Sequence, residues 1–263
     1  MSITDQFLLG LKAYQEIQAE LKSEKVDSAI SVVKRDELDF IPNEPASMPS
    51  GSLILGVAED KLPVMLDLYD PSPGPLLVAG DRGSGKTAVL QWLAQASGAW
   101  DPGDIEFGVI TPFPEEWAEQ ETLPNGLGIW PAYHPSAHQF LSKLVHWAEV
   151  LPKTRQVLIL LFDGLDLLAG NSFDLQQELR WLLCHGPERQ IWPVVSTNPA
   201  HLSRMVNWLD YFHTRILGRV KLVQNARLLI DDPRINLADL VPGIQFGLSQ
   251  PGSWLKFLLP PVL

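Results

Sequence analysis

Apolar and polar residues recur along this chain of 263 residues with two different periods. Between Phe7 and Leu21, apolar residues return every three or four positions with Gln, Glu and Lys between them, which predicts an amphipathic helix. Its apolar face packs either on the rest of the chain or on a neighbouring subunit or partner. The Pro- and Ser-rich stretch Ile41–Ser52 predicts a linker. We therefore expect residues 1–50 to form a helix and linker, and residues 51–263 to form a separate domain.

After the linker, short apolar runs alternate with longer amphipathic ones. The short runs predict strands and the longer ones predict helices. The strand-like segments are SLILGVA, LPVMLDLY, LLVA, DIEFGVIT, LGIWPAYH, QVLILLFD and QIWPVVSTN, and the helix-like segments are TAVLQWLA, PSAHQFLSKLVHWAEVL and NSFDLQQELRWLLCHG. This alternation predicts an α/β fold, a mainly parallel sheet with helices on both faces. The last segments, TRILGRV, ARLLID, IQFGLSQ and SWLKFLLP, predict a β-rich C-terminal end of short strands.

Composition narrows the class of protein. The length and a hydrophobic fraction of 46% suit one large globular domain with extensions. A formal net charge of −11 argues against a broad nucleic-acid-binding surface, although a small basic pore or groove inside an assembly is compatible with it. The single cysteine, Cys184, excludes an internal disulfide and a cysteine metal cluster. Neither a signal peptide nor an apolar run of about 18 residues is present, so we expect a cytoplasmic protein without direct membrane insertion.

The segment GDRGSGKT, Gly80–Thr87, fits the phosphate-binding pattern G-x-x-x-x-G-K-[ST]. An apolar strand precedes it and a helix pattern follows, which is the context that this motif requires. Glycines let successive backbone N–H groups turn toward phosphate oxygens, and the helix presents its positive end to them. The residues expected to bind a nucleotide are Asp81, Arg82, Gly83, Ser84, Gly85, Lys86 and Thr87. Lys86 would reach the β- and γ-phosphates and Thr87 would bind Mg²⁺, so ATP and Mg²⁺ are the expected ligands.

A second acidic site follows the most apolar run. Asp163 comes directly after six apolar residues, where a buried strand leaves the sheet, and is the expected second Mg²⁺ ligand; an ordinary Asp-Gly turn is the alternative. Many ATPases place a glutamate beside this aspartate to polarise the attacking water, but this chain has Gly164 there. Asp166 is the nearest spare carboxylate. It acts either as the catalytic base or as a helix cap, and the sequence leaves both open.

A third polar cluster ends the strand IWPVVSTN. Its tip, Ser196, Thr197 and Asn198, would lie beside the Asp163 strand, so Asn198 or Thr197 is a candidate to contact the γ-phosphate or the lytic water. Ordinary turn chemistry is the alternative, because Asn-Pro favours a turn. Four arginines are candidates to reach the nucleotide of a neighbouring subunit: Arg189, Arg204, Arg215 and Arg219.

Together these segments resemble the FtsK/HerA-type motor ATPases, which include DNA translocases, conjugation coupling proteins and type VII secretion motors. The resemblance covers Leu53–Pro260. It rests on the segments LILGVAEDKLPVMLDLYDPSPGPLLVAGDRGSGKT, PVVSTNPAHL, YFHTRILGRV and LADLVPGIQFGLSQPGSWLKFLLPPV. The resemblance implies a RecA-like fold, a homo-oligomer or ring with nucleotide between subunits, and ATP hydrolysis that drives or regulates translocation of DNA or protein. The chain departs from the family at Gly164, where a glutamate is usual, and at Asn198, where translocases commonly have glutamine.

Two alternatives remain beside the motor hypothesis. The degenerate second acidic site also fits a scaffold module that binds nucleotide without hydrolysing it. The segment LLFDGLDLL resembles the second motif of the NACHT type of STAND ATPases, which implies a signalling switch. The β-rich C-terminal end and the strands before the phosphate loop favour the FtsK/HerA resemblance. On that interpretation Lys86, Asp166 and Asn198 are the expected catalytic residues, and Thr87 and Asp163 the expected metal ligands.

Overall fold

The computed structural model describes residues 48–150, 155–166 and 173–261. The expected N-terminal helix and most of the expected linker lie outside these residues, and the domain boundaries stay a prediction. Within the described residues ten strands form one sheet. The strands are β1 Ser52–Ala58, β2 Pro63–Asp67, β3 Leu76–Ala79, β4 Ile105–Thr111, β5 Gly126–Pro131, β6 Val157–Phe162, β7 Ile191–Thr197, β8 Thr214–Leu217, β9 Gln245–Gln250 and β10 Ser253–Leu258.

Helices connect these strands. The α-helices of the described ranges are α1 Lys86–Ser97, α2 Pro135–Val150, α3 Phe173–His185, α4 Val206–Leu209 and α5 Val223–Leu229. Short 3₁₀ turns lie at Pro114–Trp117, Gln120–Thr122, Pro187–Arg189, Pro199–Arg204 and Leu237–Asp239. None of the helices in the part of the chain that the structure describes has the length and apolar character needed to span a membrane.

The strand order is β2-β1-β10-β9-β8-β3-β7-β6-β4-β5. The six strands from β8 to β5 run parallel, whereas β9, β10, β1 and β2 continue the sheet in antiparallel fashion. This architecture confirms the predicted α/β class with its mainly parallel sheet and β-rich C-terminal end. Because parallel strands end at the same edge of a sheet, the residues after β3, β6 and β7 lie close together, and that edge is where ligands bind in such folds.

Hydrophobic clusters cover both faces of the sheet. Successive side chains of a strand point to opposite faces, so Leu77 packs in the cluster that contains α2 and α3, whereas Val78 packs in the cluster that contains α1. Two buried tryptophans attach β1 and the end of β2, the strands that precede the phosphate loop, to the core. Trp92 donates its indole N–H to the Ile54 carbonyl at 2.9 Å, and Trp192 donates its indole N–H to the Leu68 carbonyl at 2.9 Å. These contacts explain why the strands before the phosphate loop belong to the same domain.

One predicted strand is wrong. The segment ARLLID lies mainly in the helix α5, not in a strand. The neighbouring strand β8 is already paired with β3 on one side and β9 on the other, so a strand here would have no edge to join. Helical spacing instead lets Ala226 and Leu229 pack on the core together.

Candidate nucleotide-binding site

The phosphate loop joins β3 to α1 at the carboxyl edge of the sheet. Gly83 and Gly85 have φ angles of 74° and 93°, in the left-handed region that favours glycine. Gly85 precedes α1 without a side-chain cap, and the first turn of that helix contains no acidic residue. The backbone N–H groups of a first helical turn have no intrahelical acceptor. The N-terminal end of α1 is therefore suited to bind an anion through these N–H groups and the helix dipole.

Two later segments of the chain brace the loop. The Asp81 amide donates to the Arg219 carbonyl at 2.9 Å, and the Asp81 carboxylate accepts from the Lys221 amide at 2.9 Å. The Gly243 amide donates to the Ser84 carbonyl at 3.0 Å. In this structure Asp81, one of the predicted nucleotide-binding residues, thus uses both its backbone and its side chain to hold the loop in shape.

Lys86 folds back over the loop. Its Nζ donates to the carbonyl oxygens of Gly80 and Asp81 at 2.9 and 3.1 Å. Burial lowers the pKa of Lys86 below its ordinary value, and the negative charges of Asp163, Asp166 and Asp81 oppose that shift. These carboxylates lie near enough to act on the ammonium group, so Lys86 lies among the candidate residues that the sequence analysis selected.

Thr87 and Asp163, the predicted metal ligands, are in direct contact. The Thr87 hydroxyl donates to Asp163 Oδ2 at 3.1 Å, across 76 residues of sequence. Asp163 is 7% exposed, at the end of β6. Its other oxygen, Oδ1, accepts a hydrogen bond of 2.5 Å from the Ser196 hydroxyl at the tip of β7. The sequence alone points to Thr197 and Asn198 at this tip and not to Ser196. The available signal is the alternation of the strand, which turns the side chains of Ser196 and Thr197 to opposite faces of the sheet.

The donor set fits a magnesium ion bound together with a nucleotide. A hydroxyl and a carboxylate oxygen are the hard ligands that Mg²⁺ prefers, and Mg²⁺ usually takes one or two protein ligands with water and phosphate oxygens as the rest. Across residues 48–150, 155–166 and 173–261, no group of three or more His, Cys, Asp or Glu side chains is placed to hold a metal alone. The site thus offers partial coordination, as expected for a metal that arrives with phosphates.

Asp166 and Asn198 lie beside this centre with other local partners. Asp166 Oδ2 is 4.0 Å from His201 Nε2, which is too long for a hydrogen bond, so the segment after β6 and the turn after β7 are neighbours here. The Asn198 side-chain oxygen accepts from the Ala200 amide at 3.1 Å and caps the 3₁₀ turn Pro199–Arg204. The turn chemistry proposed as the alternative for Asn198 is therefore present, and only the amide nitrogen is left to contact a phosphate.

The candidate arginines differ in their surroundings. Arg215 is half-buried and donates to the carbonyl oxygens of Phe212, Leu229 and Leu209 at 3.1, 2.7 and 3.3 Å. Arg219 contacts the loop through its carbonyl, and its buried Nε has no hydrogen-bond partner among the described residues. Arg215 is thus an internal structural residue in this conformation, whereas Arg219 lies next to the phosphate loop of its own chain.

This chain shares its fold with solved RecA-like ATPases of the FtsK/HerA type. EssC (ATPases 2 and 3) from Geobacillus thermodenitrificans has a TM-score of 0.67 to this chain at 13% identity, covering 84% of this chain and 47% of that one. EccC (ATPases 2 and 3) from Thermomonospora curvata, in complex with a signal sequence peptide, has a TM-score of 0.63 at 15% identity, covering 83% and 43%. The pCW3 conjugation coupling protein TcpA with ATPγS has a TM-score of 0.59 at 15% identity, covering 82% and 69%.

These similarities confirm the fold and the resemblance seen in the sequence. The chain spans less than half the length of the secretion ATPases that it matches. No protein-family model matches the chain, and no curated protein matches its sequence. At such low identity the likeness establishes the fold alone.

Proposed function

We propose that this chain binds ATP with Mg²⁺ and hydrolyses it slowly, in an oligomeric assembly that drives or regulates translocation of DNA or protein. The observation that carries the proposal is the contact between Thr87 and Asp163 beside Lys86, at the carboxyl edge of the sheet. Lys86 and the loop amides would bind the phosphates, and Thr87 and Asp163 would hold the metal. When bound, Mg²⁺ would neutralise charge on the phosphate oxygens.

Slow hydrolysis follows from the residue after Asp163. Gly164 supplies no carboxylate to polarise water, and its φ of 102° is a backbone conformation that other residues rarely adopt. Asp166 is the remaining candidate base, since it is partly exposed and close enough to Lys86 to influence its charge. Asn198 would contribute its amide nitrogen to the γ-phosphate or the water.

The translocation part of the proposal comes from the fold. Solved structures with this fold include the cytoplasmic domain of a type VII secretion ATPase and a conjugation coupling protein. On that basis we extend to this chain a cytoplasmic location and a polymeric substrate, and we keep the homo-oligomer that the sequence resemblance implies. The net charge of −11 favours a protein substrate over a broad contact with DNA.

A nucleotide-binding scaffold without turnover is the second candidate function. The observation that favours it is the glycine at position 164, because the binding residues are intact where the hydrolytic carboxylate is missing. Both candidates require Lys86, and only the first requires turnover.

Binding and turnover are measured together on the full chain. We expect ATP with Mg²⁺ to raise the melting temperature of the wild type and of Lys143→Ala, an exposed lysine on α2, but not of Lys86→Ala. Phosphate release is then followed with and without double-stranded DNA or an unfolded polypeptide. Stabilisation without turnover under any condition would select the scaffold, and a melting temperature indifferent to ATP in the wild type would exclude both candidates.

A further inference from the structure

Ser196 is a buried hydroxyl with both of its hydrogen-bonding roles in use. It is 1% exposed and stands one residue before the end of β7. Its Oγ donates to Asp163 Oδ1 at 2.5 Å and accepts from the Gly164 amide at 2.9 Å. A serine hydroxyl has one proton to donate, and the amide of Gly164 can only donate. The proton of Ser196 is therefore directed to the carboxylate.

This arrangement fixes the orientation of the Asp163 carboxylate. Ser196 holds Oδ1 from β7, whereas Thr87 on α1 contacts Oδ2. Hydrogen bonds to a carboxylate are short and about twice as strong as bonds between neutral groups. Oδ2 therefore faces the Thr87 hydroxyl, which on the proposed function would bind the same Mg²⁺ ion.

The second hydrogen bond of Ser196 fixes the turn after β6. The Gly164 amide donates to Ser196 Oγ, and Gly164 itself has a φ of 102°. Phe162 pairs with Val195 in the parallel register, so Asp163 and Ser196 follow side by side at the tips of adjacent strands. The Ser196 hydroxyl therefore fixes both the orientation of the Asp163 carboxylate and the backbone position of the next residue, Gly164.

We propose that Ser196 is a positioning residue for the metal site, which presents Asp163 Oδ2 to the Mg²⁺ that arrives with ATP. The inference rests on the proposed function, since it concerns the same site. Removing an outer hydrogen-bond partner of a metal ligand typically lowers metal affinity about 10- to 100-fold. The two hydrogen bonds of Ser196 join it to Asp163 and Gly164 and not to the phosphate loop, so nucleotide binding without metal should depend on it little.

The test is a magnesium titration of nucleotide binding. Binding of fluorescent mant-ATPγS to the full chain is followed while Mg²⁺ is added. The Mg²⁺ midpoint is the concentration that gives half of the maximal increase in nucleotide binding. The dissociation constant of mant-ATPγS is also measured in EDTA, where no Mg²⁺ is free. We expect Ser196→Ala to raise the Mg²⁺ midpoint about 10-fold and to change the dissociation constant in EDTA less than about 2-fold. Ser97→Ala is the matched control, because Ser97 is a buried serine that donates one hydrogen bond to Ala94 at the far end of α1.

The outcomes separate the inference from the proposed function. A wild type that does not bind mant-ATPγS overturns both. If the wild type binds in a Mg²⁺-dependent way and Ser196→Ala has the same Mg²⁺ midpoint, the inference alone is overturned. It is also overturned if Ser196→Ala loses as much nucleotide affinity in EDTA as it loses with Mg²⁺, because such a loss would be a general structural effect.

A second pair of variants covers the case in which Ser196→Ala does not fold. Ser196→Thr keeps the hydroxyl and Ser196→Val replaces it with a methyl group in the same β-branched shape, which suits a strand. We expect the midpoint of the threonine variant to stay near the wild-type value and that of the valine variant to rise. Equal midpoints in the two, or a valine variant that also fails to fold, would assign Ser196 a purely structural role and overturn the proposal.

Discussion

Gly85 lies against Gly243 so closely that a Cβ atom on Gly85 would come within 2.6 Å of the Gly243 Cα. The neighbouring Ser84 carbonyl accepts the Gly243 amide at 3.0 Å. The phosphate loop and the segment that leads into β9 therefore fix each other, although Gly85 and Gly243 are 158 positions apart in the sequence. Gly83 in the same loop has open space where its Cβ would be.

We expect Gly85→Ala to lower the free energy of unfolding by about 3 kcal/mol, because it adds left-handed strain and a collision with backbone. It should also abolish ATP-dependent stabilisation, since the start of α1 would move. Urea unfolding with and without ATP and Mg²⁺ measures both effects. Gly83→Ala is the control and should cost only about 1–2 kcal/mol, from the left-handed conformation alone. Equal losses in the two variants would show that the contact with Gly243 does not matter.

We expect that no single substitution at Gly164 restores the function of the glutamate that many ATPases have beside the metal-binding aspartate. Gly164 has a φ of 102°, and its amide is held by Ser196. We expect Gly164→Glu to cost about 2 kcal/mol of stability and to leave ATP turnover no faster than in the wild type. Phosphate release and thermal unfolding measure the two quantities.

Gly164→Ala separates backbone strain from the carboxylate. It should lose about the same stability as Gly164→Glu, because both residues meet the same φ. A Gly164→Glu enzyme that turns over about ten times faster than wild type would contradict the strain argument and would show that the turn can relax.

Asp166 is the residue on which hydrolysis is expected to depend. We expect Asp166→Asn to lower kcat about 100-fold with KM nearly unchanged, because the loss of a general base slows proton transfer without removing a phosphate contact. Steady-state phosphate release gives both constants. Asp104→Asn is the control, since Asp104 is exposed in the turn before β4, at the opposite edge of the sheet. An unchanged kcat in Asp166→Asn would leave the helix-cap alternative in place.

The sequence predicts the fold well because its signals are local. Buried parallel strands are continuous apolar runs, helices have their own period, and the phosphate loop carries a contiguous motif. The error at ARLLID arose from a property that is not local, since only the finished sheet shows that β8 has no free edge.

The candidate site is predictable only in part for the same reason. Lys86 and Thr87 follow from one motif, and Asp163 follows from its position after an apolar run. The contact of Ser196 with Asp163 depends on the register of two strands whose residues are separated by 33 positions. The contact of Gly85 with Gly243 depends on where a distant loop returns, and single-sequence periodicity contains no signal for such an approach.

Arg215 is expected to stabilise the domain rather than to act on a neighbouring nucleotide. Burial lowers the pKa of Arg215, with Asp231 and Asp210 opposing the shift, and the guanidinium satisfies three backbone carbonyls. We expect Arg215→Ala to cost about 3 kcal/mol in urea unfolding, because those carbonyls lose their donors. Arg227→Ala, on the exposed side of α5, should cost less than about 0.5 kcal/mol. A loss of turnover in Arg215→Ala without a loss of stability would instead assign Arg215 to the active site of an adjacent subunit, because its internal hydrogen bonds would then contribute nothing to folding.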